Sequence, residues 1–185
     1  MPADAAALVH EALVYDSDEQ LVEHVAPFLR EGIEEGPTIV VLTRPHWSLL
    51  REELGGDADS VAFTDCDDFY VRPVDVIAAY DATMADLLAA GATSARVAAE
   101  IPLQPTHRDW SEWIAYEAIV NRALADRPAH IVCLYGTETA PDQVIDAVWQ
   151  THPHVQAHTI GRHPEYRDPR DVVGSHRKPA ITLDL

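Results

Sequence analysis

A strand, a helix and a second strand are predicted within residues 10–43, HEALVYDSDEQLVEHVAPFLREGIEEGPTIVVLT. His10–Tyr15 has the short, largely apolar pattern of a strand. Ser17 and Gln20 have the spacing of a capping box, in which the serine side chain accepts from the backbone of Gln20 and the glutamine reaches back, so a helix begins there. Thr38–Thr43 is continuously apolar between its two threonines, as expected for a central parallel strand covered on both faces.

The same alternation of short strands and longer helical patterns continues along the rest of the chain. Further strands are predicted at Val61–Thr64, Arg96–Ile101, His130–Tyr135 and Val155–Ile160. Strands that alternate with helices indicate βαβ units with right-handed crossovers. The predicted fold is α/β, a three-layer sandwich with a mainly parallel sheet. Residues 1–160 are assigned to this domain, and residues 161–185 to an extended C-terminal tail packed on the domain or on a partner.

Composition and charge argue against nucleic-acid-binding, membrane-spanning and secreted proteins. The chain has 185 residues, 47% of them hydrophobic, which is enough for one globular domain without disulfides or a structural metal. With 31 acidic against 13 basic residues its net charge is −18, and such a field repels nucleic-acid phosphates. No apolar run approaches the ~20 residues of a membrane helix, and the N-terminus lacks the basic segment of a secretory signal. A cytoplasmic protein without nucleic-acid or membrane partners is predicted.

The acidity itself has two explanations. Lys178 is the only lysine, so nearly every basic residue is arginine. A cell with high internal salt would screen the repulsion among the carboxylates. A GC-rich genome would also favour alanine, aspartate and arginine codons. Both explanations remain open at the level of the sequence.

A small-molecule pocket is predicted beyond the carboxyl ends of the strands, where parallel α/β sheets bind their ligands. Acidic, aromatic and hydroxyl side chains follow the predicted strands there, among them Tyr15, Asp16, Ser17, Thr43, Glu100 and Tyr135. The turn after the first strand, YDSDEQ, contains no glycine, and the chain has no GxxxxGK[ST] motif. The cradle that holds a nucleotide phosphate is therefore missing, and no cofactor is predicted.

Two carboxylates and one histidine are candidates for polar roles inside the domain. Glu100 ends an apolar strand, and Glu117 lies on the inward side of a helix between Ile114 and Asn121. A carboxylate in such a place either meets a cation or hydrogen-bond donor, or serves in ligand sensing or acid–base chemistry. His10 opens the first strand, as a structural histidine or as the partner of a carboxylate.

The remaining candidates are aromatic, thiol and imidazole groups. Trp110 borders a Pro-rich loop. Its side chain either packs in the hydrophobic core or lines the mouth of an apolar pocket. Cys133 lies in the apolar run IVCLY and is expected to behave as a small buried hydrophobe. His152, His154 and His158 share one side of an extended strand, a spacing open to metal, but Pro153 disrupts the run. No metal site is predicted.

Five motifs resemble a known family when they are taken in order. They are residues 10–43 quoted above, AEIPLQP, YEAIVNRAL, IVCLYGTE and the THP at 151–153. Over residues 8–170 the chain resembles MEDS domains, the methanogen/methylotroph sensory domains. The resemblance implies a RecA/KaiC-like core that has lost its phosphate-binding loop and senses small, hydrocarbon-derived organic molecules. By position, the family-like residues are His10, Tyr15, Glu100, Glu117, Asn121, Cys133 and Tyr135.

The functional hypothesis is a non-enzymatic sensory or regulatory module. It would bind a small organic ligand and signal through a separate signalling or transcription-regulatory protein or a second copy of itself. The candidate ligand-binding residues are His10, Tyr15, Glu100, Trp110, Glu117, Asn121 and Tyr135. Two alternatives remain: a degenerate RecA-like nucleotide-binding protein with weak or no hydrolysis, and a small enzyme that uses Glu100 and Glu117 as an acid/base pair.

Overall fold

The computed structural model describes residues 7–101, 110–155 and 165–175. Within these ranges the strands are β1 (Val9–Tyr15), β2 (Thr38–Leu42), β3 (Val61–Asp65), β4 (Ala95–Glu100), β5 (Ala129–Gly136) and β6 (His154–Val155). They form one sheet in the order β3-β2-β4-β5-β1-β6, and every pairing is parallel. The parallel sheet predicted from the alternating pattern is thereby confirmed.

Helices cover both faces of the sheet. They are α1 (Asp18–Glu35), α2 (Arg44–Leu54), α3 (Cys66–Phe69), α4 (Pro73–Ala89), α5 (Ser111–Ala123), α6 (Asp142–Thr151) and α7 (Pro169–Ser175), with a 3₁₀ helix at Gly55–Ser60. None of these described helices combines the length and apolar character needed to span a bilayer. The α/β class and the three layers agree with the sequence prediction, whereas the RecA/KaiC-like relationship stays a prediction.

The first helix begins where the capping box placed it. The Ser17 hydroxyl accepts from the Gln20 backbone N–H at 3.3 Å, and the Gln20 side chain accepts from the Asp16 backbone N–H at 2.9 Å. The first bond satisfies an amide that the first turn of a helix leaves without an intrahelical partner, and the second ties the residue before the N-cap to the same turn. The turn after β1 is thereby closed by side chains rather than by a glycine-rich loop.

Two hydrophobic cores lie on opposite faces of the sheet. One is formed with α1 and α2, and the other with α4, α5 and α6. Because side chains alternate along a strand, Cys133 and Tyr135 of β5 face α5, whereas Leu134 between them faces α1. This alternation decides which polar residues of the central strands can meet.

The C-terminal region differs in detail from the prediction. Strand β6 covers only His154–Val155, and residues 156–160 of the predicted strand lie outside the described residues. Of the segment 161–185, residues 165–175 are described. They include the helix α7, which packs on α5 with Val172 buried, where extended chain was predicted. Val172 and Val173 are the only adjacent apolar residues of this Pro- and Arg-rich helix, and two residues are too few to show a helical period.

Candidate functional site

Four polar side chains from four separate parts of the chain meet between the sheet and α5. We call His10, Glu117, Cys133 and His152 the buried cluster. His10 comes from β1, Cys133 from β5 and Glu117 from α5, while His152 is the C-cap of α6. None of the four is more than 5% exposed. Burial of so many polar groups is costly unless each is satisfied by a partner.

The Glu117 carboxylate is at the centre of the cluster. Its Oε2 lies 3.4 Å from His10 Nε2, 3.4 Å from His152 Nε2 and 3.8 Å from Cys133 Sγ. The thiol and the first imidazole also touch, with His10 Nε2 at 3.3 Å from Cys133 Sγ. Four ligand-type atoms therefore converge, all within 4.8 Å of one another.

Asn121 orients the first imidazole. Its Nδ2 donates to the backbone carbonyls of Glu117 at 3.2 Å and Thr151 at 2.7 Å, so its Oδ1 is the atom that faces His10. His10 Nδ1 lies 3.1 Å from that oxygen and donates to it. A neutral His10 consequently carries its lone pair on Nε2, directed at Glu117 and Cys133.

The second imidazole is oriented in the same way by backbone and hydroxyl oxygens. His152 Nδ1 lies 3.2 Å from the Val148 carbonyl and 3.0 Å from Thr151 Oγ1, whose own hydrogen goes to the Ala147 carbonyl at 3.0 Å. Both neighbours accept, so the proton of a neutral His152 is on Nδ1 and its Nε2 lone pair faces Glu117.

Burial and neighbouring charges set the protonation of this cluster. Burial alone would raise the pKa of Glu117, but the interactions with His10 and His152 outweigh it and lower that pKa to about 2. Burial and the adjacent His10 lower the pKa of His152. Burial, together with the Glu117 charge, raises the pKa of the Cys133 thiol well above its ordinary value. The carboxylate is therefore the fixed negative charge of the cluster.

A small apolar cavity adjoins the buried cluster. Its volume is about 20 Å³, and its walls are Ile101, Trp110, Trp113, Ile114, Glu117, Tyr135, Val144, Ala147, Val148 and Thr151. Two polar atoms of these walls, Glu117 Oε1 and Tyr135 Oη, have no hydrogen-bond partner within the described residues. Each such buried atom costs about 1–3 kcal/mol unless something satisfies it. A polar group inside the cavity would remove that cost.

Comparison with known proteins identifies the family. The family model described as "MEDS: MEthanogen/methylotroph, DcmR Sensory domain" matches residues 9–153, more than half of the chain. The chain belongs to the MEDS family. No curated protein matches this MEDS domain significantly. The matched residues include all four members of the buried cluster, and a sensory role in general follows from the family.

A second polar site of the MEDS domain lies at the carboxyl ends of its strands, and we call it the strand-end site. Glu100 Oε2 accepts from the Thr43 backbone N–H at 3.1 Å and the Thr43 hydroxyl at 3.0 Å, and it lies 2.9 Å from His46 Nδ1. Tyr15 lies beside this carboxylate, and burial followed by the charge of Glu100 raises the pKa of Tyr15. Gly136 leaves the space for this phenol, since an added Cβ would lie 3.1 Å from the ring.

An open cleft of about 470 Å³, the strand-end cleft, lies above the strand-end site. It is lined by Tyr15, His46 and the loops after β1 and β5, with the four carboxyl groups of Asp16, Asp18, Glu19 and Glu138. Four carboxylates repel a polyphosphate, and the turn after β1 has no glycine with which to hold one. The geometry of the cleft therefore argues against the nucleotide-binding alternative.

The pH dependence of stability is expected to identify His46 as a charged partner of Glu100. The hydrogen bond to Glu100 outweighs burial and, with the Glu100 and Asp18 charges, raises the pKa of His46. Tyr15 is the other titratable group against this ring. A raised folded-state pKa gives stability that is complete below the unfolded value of about 6.5 and is lost as pH rises through the folded value. The loss of melting temperature caused by His46→Gln should therefore be larger at about pH 5.5 than at about pH 9.

The matched control for this pH experiment is Asp18→Asn. The Asp18 side chain is 72% exposed and reaches the same ring at 3.3 Å, so it should contribute less at either pH. A His46→Gln loss that is equal at the two pH values, or larger at high pH, would contradict the charged pairing.

The candidate residues from the sequence divide between the two sites. His10 and Glu117 belong to the buried cluster, Asn121 supports it through His10, and Trp110 and Tyr135 lie beside it on the cavity. Tyr15 and Glu100 belong to the strand-end site on the opposite face of the sheet. Glu117 lines the apolar cavity, whereas Glu100 interacts with Thr43 and His46 and is not among the described residues that line that cavity.

His152 is the member of the buried cluster that sequence reasoning did not place. The sequence pattern predicts that residues 152, 154 and 158 share one side of an extended strand, but α6 runs to Thr151 and His152 caps it. His154 lies in β6, and His158 is outside the described residues. The usable signal was the THP motif itself, because a proline just after a helix end leaves the preceding histidine at the cap.

Proposed function

We propose that this MEDS domain senses a small organic molecule with one polar end, which binds in the apolar cavity beside the buried cluster. The proposal is supported chiefly by two polar atoms without a hydrogen-bond partner within the described residues, Glu117 Oε1 and Tyr135 Oη. Both belong to residues that line an otherwise apolar cavity. A hydroxyl group can donate to the carboxylate and accept from the phenol. A short alcohol or a similar hydrocarbon derivative therefore matches the chemistry of this cavity better than a charged metabolite does.

The size of the cavity links binding to a conformational change. About 20 Å³ holds roughly one water-sized group, so any larger ligand must displace wall side chains. Trp113 is one of these walls, and it also lines an apolar surface groove with Val71, Ile77, Tyr116 and Ile119. A ligand that moves the indole therefore changes an outer surface of the domain, and it shifts the population toward the conformation that it binds better.

The role we propose is regulatory and not catalytic. Glu100 and Glu117, the pair that an acid/base enzyme would use, lie on opposite faces of the sheet, which supports this view. In this proposal a separate signalling or transcription-regulatory protein binds the surface groove beside Trp113 in only one of the two conformations. The net charge of −18 supports a protein partner over direct contact with nucleic acid.

Ligand titration of two tyrosine variants tests the proposed cavity. Tyr135→Phe removes the unpartnered hydroxyl, so we expect little change in stability but about tenfold weaker binding of short alcohols. Tyr15→Phe is the matched control, because its hydroxyl belongs to the strand-end site. Binding is measured by calorimetry and by the rise in melting temperature with methanol, ethanol, propanol and their halogenated analogues.

Two results would contradict the proposal. If Tyr15→Phe weakens binding and Tyr135→Phe does not, the ligand binds in the strand-end cleft. If no alcohol or haloalkane raises the melting temperature of the unmodified chain, the cavity does not serve as a sensor for this class of molecule.

A further inference from the structure

We infer that the buried cluster binds one divalent transition-metal ion of the zinc type, through His10 Nε2, His152 Nε2, Glu117 Oε2 and Cys133 Sγ. Two imidazoles, a carboxylate and a thiolate are all ligand types that zinc accepts in tetrahedral protein sites. This inference is independent of the organic ligand, because it uses Oε2 of Glu117 and leaves Oε1 on the cavity side.

The spacing of the four atoms fits a tetrahedral site. With metal–nitrogen bonds of about 2.0–2.1 Å and a metal–sulfur bond of about 2.3 Å, neighbouring ligand atoms lie roughly 3.3–3.6 Å apart. Four of the six separations within the cluster are 3.3, 3.4, 3.4 and 3.8 Å, and all six are within 4.8 Å. All four side chains are therefore close to a tetrahedral arrangement, and shifts of about 1 Å at the longest separations complete the geometry.

The hydrogen bonds around the cluster direct lone pairs at its centre. Asn121 Oδ1 takes the Nδ1 proton of His10, and the Val148 carbonyl and Thr151 hydroxyl take that of His152. Oxygen acceptors on the outer nitrogen are the usual support of metal-binding histidines, because they fix the tautomer that presents Nε2. Both Nε2 atoms then lie 3.4 Å from the Glu117 carboxylate, an arrangement that a cation bound between them stabilises.

An unpartnered atom provides a second, separate observation. His152 is 0% exposed, and its Nε2 has no hydrogen-bond partner within the described residues although it lies 3.4 Å from Glu117 Oε2. A nitrogen buried in this way has lost its water without gaining a bond. The charges also balance, because the Glu117 carboxylate and the Cys133 thiolate neutralise a divalent ion. Binding breaks the thiol S–H bond, forms the metal–sulfur bond and releases the proton to solvent.

Metal binding is tested first on the unmodified chain. Because all four ligands are buried, the protein is unfolded in guanidinium with a chelator and refolded with Zn²⁺, with Co²⁺ or with neither. We expect one equivalent of metal per chain after desalting and a higher melting temperature in the metal-loaded samples. The Co²⁺ sample should show the intense visible bands of a tetrahedral site and a near-ultraviolet thiolate-to-cobalt band.

Variants then assign the metal to this cluster. Cys133→Ser should abolish the thiolate-to-cobalt band and weaken metal binding by at least about 100-fold, whereas Cys66→Ser, the other buried cysteine, should leave both unchanged. Asn121→Ala removes the acceptor of His10 Nδ1, together with the two amide hydrogen bonds to backbone carbonyls, but no metal ligand, so it should weaken binding about 10–100-fold while the thiolate band remains. This second variant keeps the test decisive if Cys133→Ser does not fold.

Three outcomes would overturn the inference. The first is no retained metal and no change in melting temperature after refolding with Zn²⁺ or Co²⁺. The second is bound Co²⁺ with an octahedral spectrum and no thiolate band, because this indicates exposed carboxylates. The third is a thiolate band that survives Cys133→Ser. None of these outcomes affects the alcohol titrations of the tyrosine variants, so failure of this inference is distinguishable from failure of the proposed sensor.

Discussion

Replacing Glu117 by alanine is expected to lower the free energy of unfolding by about 3–5 kcal/mol. The carboxylate is 4% exposed and is the shared partner of His10, His152 and the Cys133 thiol. Its removal leaves three buried polar groups without their anion and extends the cavity that it lines. Urea unfolding monitored by circular dichroism measures the loss, and the slope of the transition checks that the variant unfolds in one step.

Glu112→Ala is the matched control for this experiment. Glu112 is a glutamate of the same helix, in its first turn, and its side chain is exposed. Its replacement should change the free energy of unfolding by no more than about 0.5 kcal/mol. Equal effects of the two substitutions, or a loss below about 1 kcal/mol for Glu117→Ala, would show that the carboxylate does not hold the cluster together.

Trp113→Ala is expected to cost a similar amount, about 3–5 kcal/mol, for a different reason. The indole is 5% exposed, packs edge-on against Tyr70 and Tyr116 with ring centroids 5.7 and 5.6 Å away, and forms one wall of the cavity. Truncation joins the lost indole volume to the existing cavity and creates an apolar space. An enlarged cavity of this kind binds benzene, so benzene should raise the melting temperature of the variant more than that of the unmodified chain.

The control for the cavity variant is Trp47→Ala on the other side of the sheet. Trp47 is only half-buried and stacks on Phe63 with centroids 5.7 Å apart, so its removal should cost less and create no enclosed space. Benzene should then have no specific effect on Trp47→Ala. A benzene response that is the same in both variants would contradict the position assigned to the cavity.

The fold was predictable because the local signals agreed with one another. The capping box of Ser17 and Gln20 set the start of α1, and the apolar run of β2 required cover on both faces. Elements without such signals were not foreseen. The one-turn helix at Cys66–Phe69 and the helix α7 have too few apolar positions to show a period.

The site was predictable only in part, because its contacts are set by packing and not by sequence spacing. Glu117 was recognised as a buried carboxylate from its place on the apolar side of α5. Its partner His152 follows it by 35 positions, at the end of another helix, and no local pattern connects them. Glu100 was paired with Glu117 although it faces α2, because the sequence does not show which helix covers which face of β4.

Fluorine NMR of the fluorotryptophan-labelled chain tests the central claim most directly. Among the four tryptophans, Trp110 and Trp113 line the cavity, whereas Trp47 lies on the opposite face of the sheet against Phe63. Titration with the tightest-binding short alcohol should shift the Trp110 and Trp113 resonances in a saturable way and leave Trp47 unchanged. The account is contradicted if the cavity tryptophans do not respond while the ligand binds, or if Trp47 alone shifts.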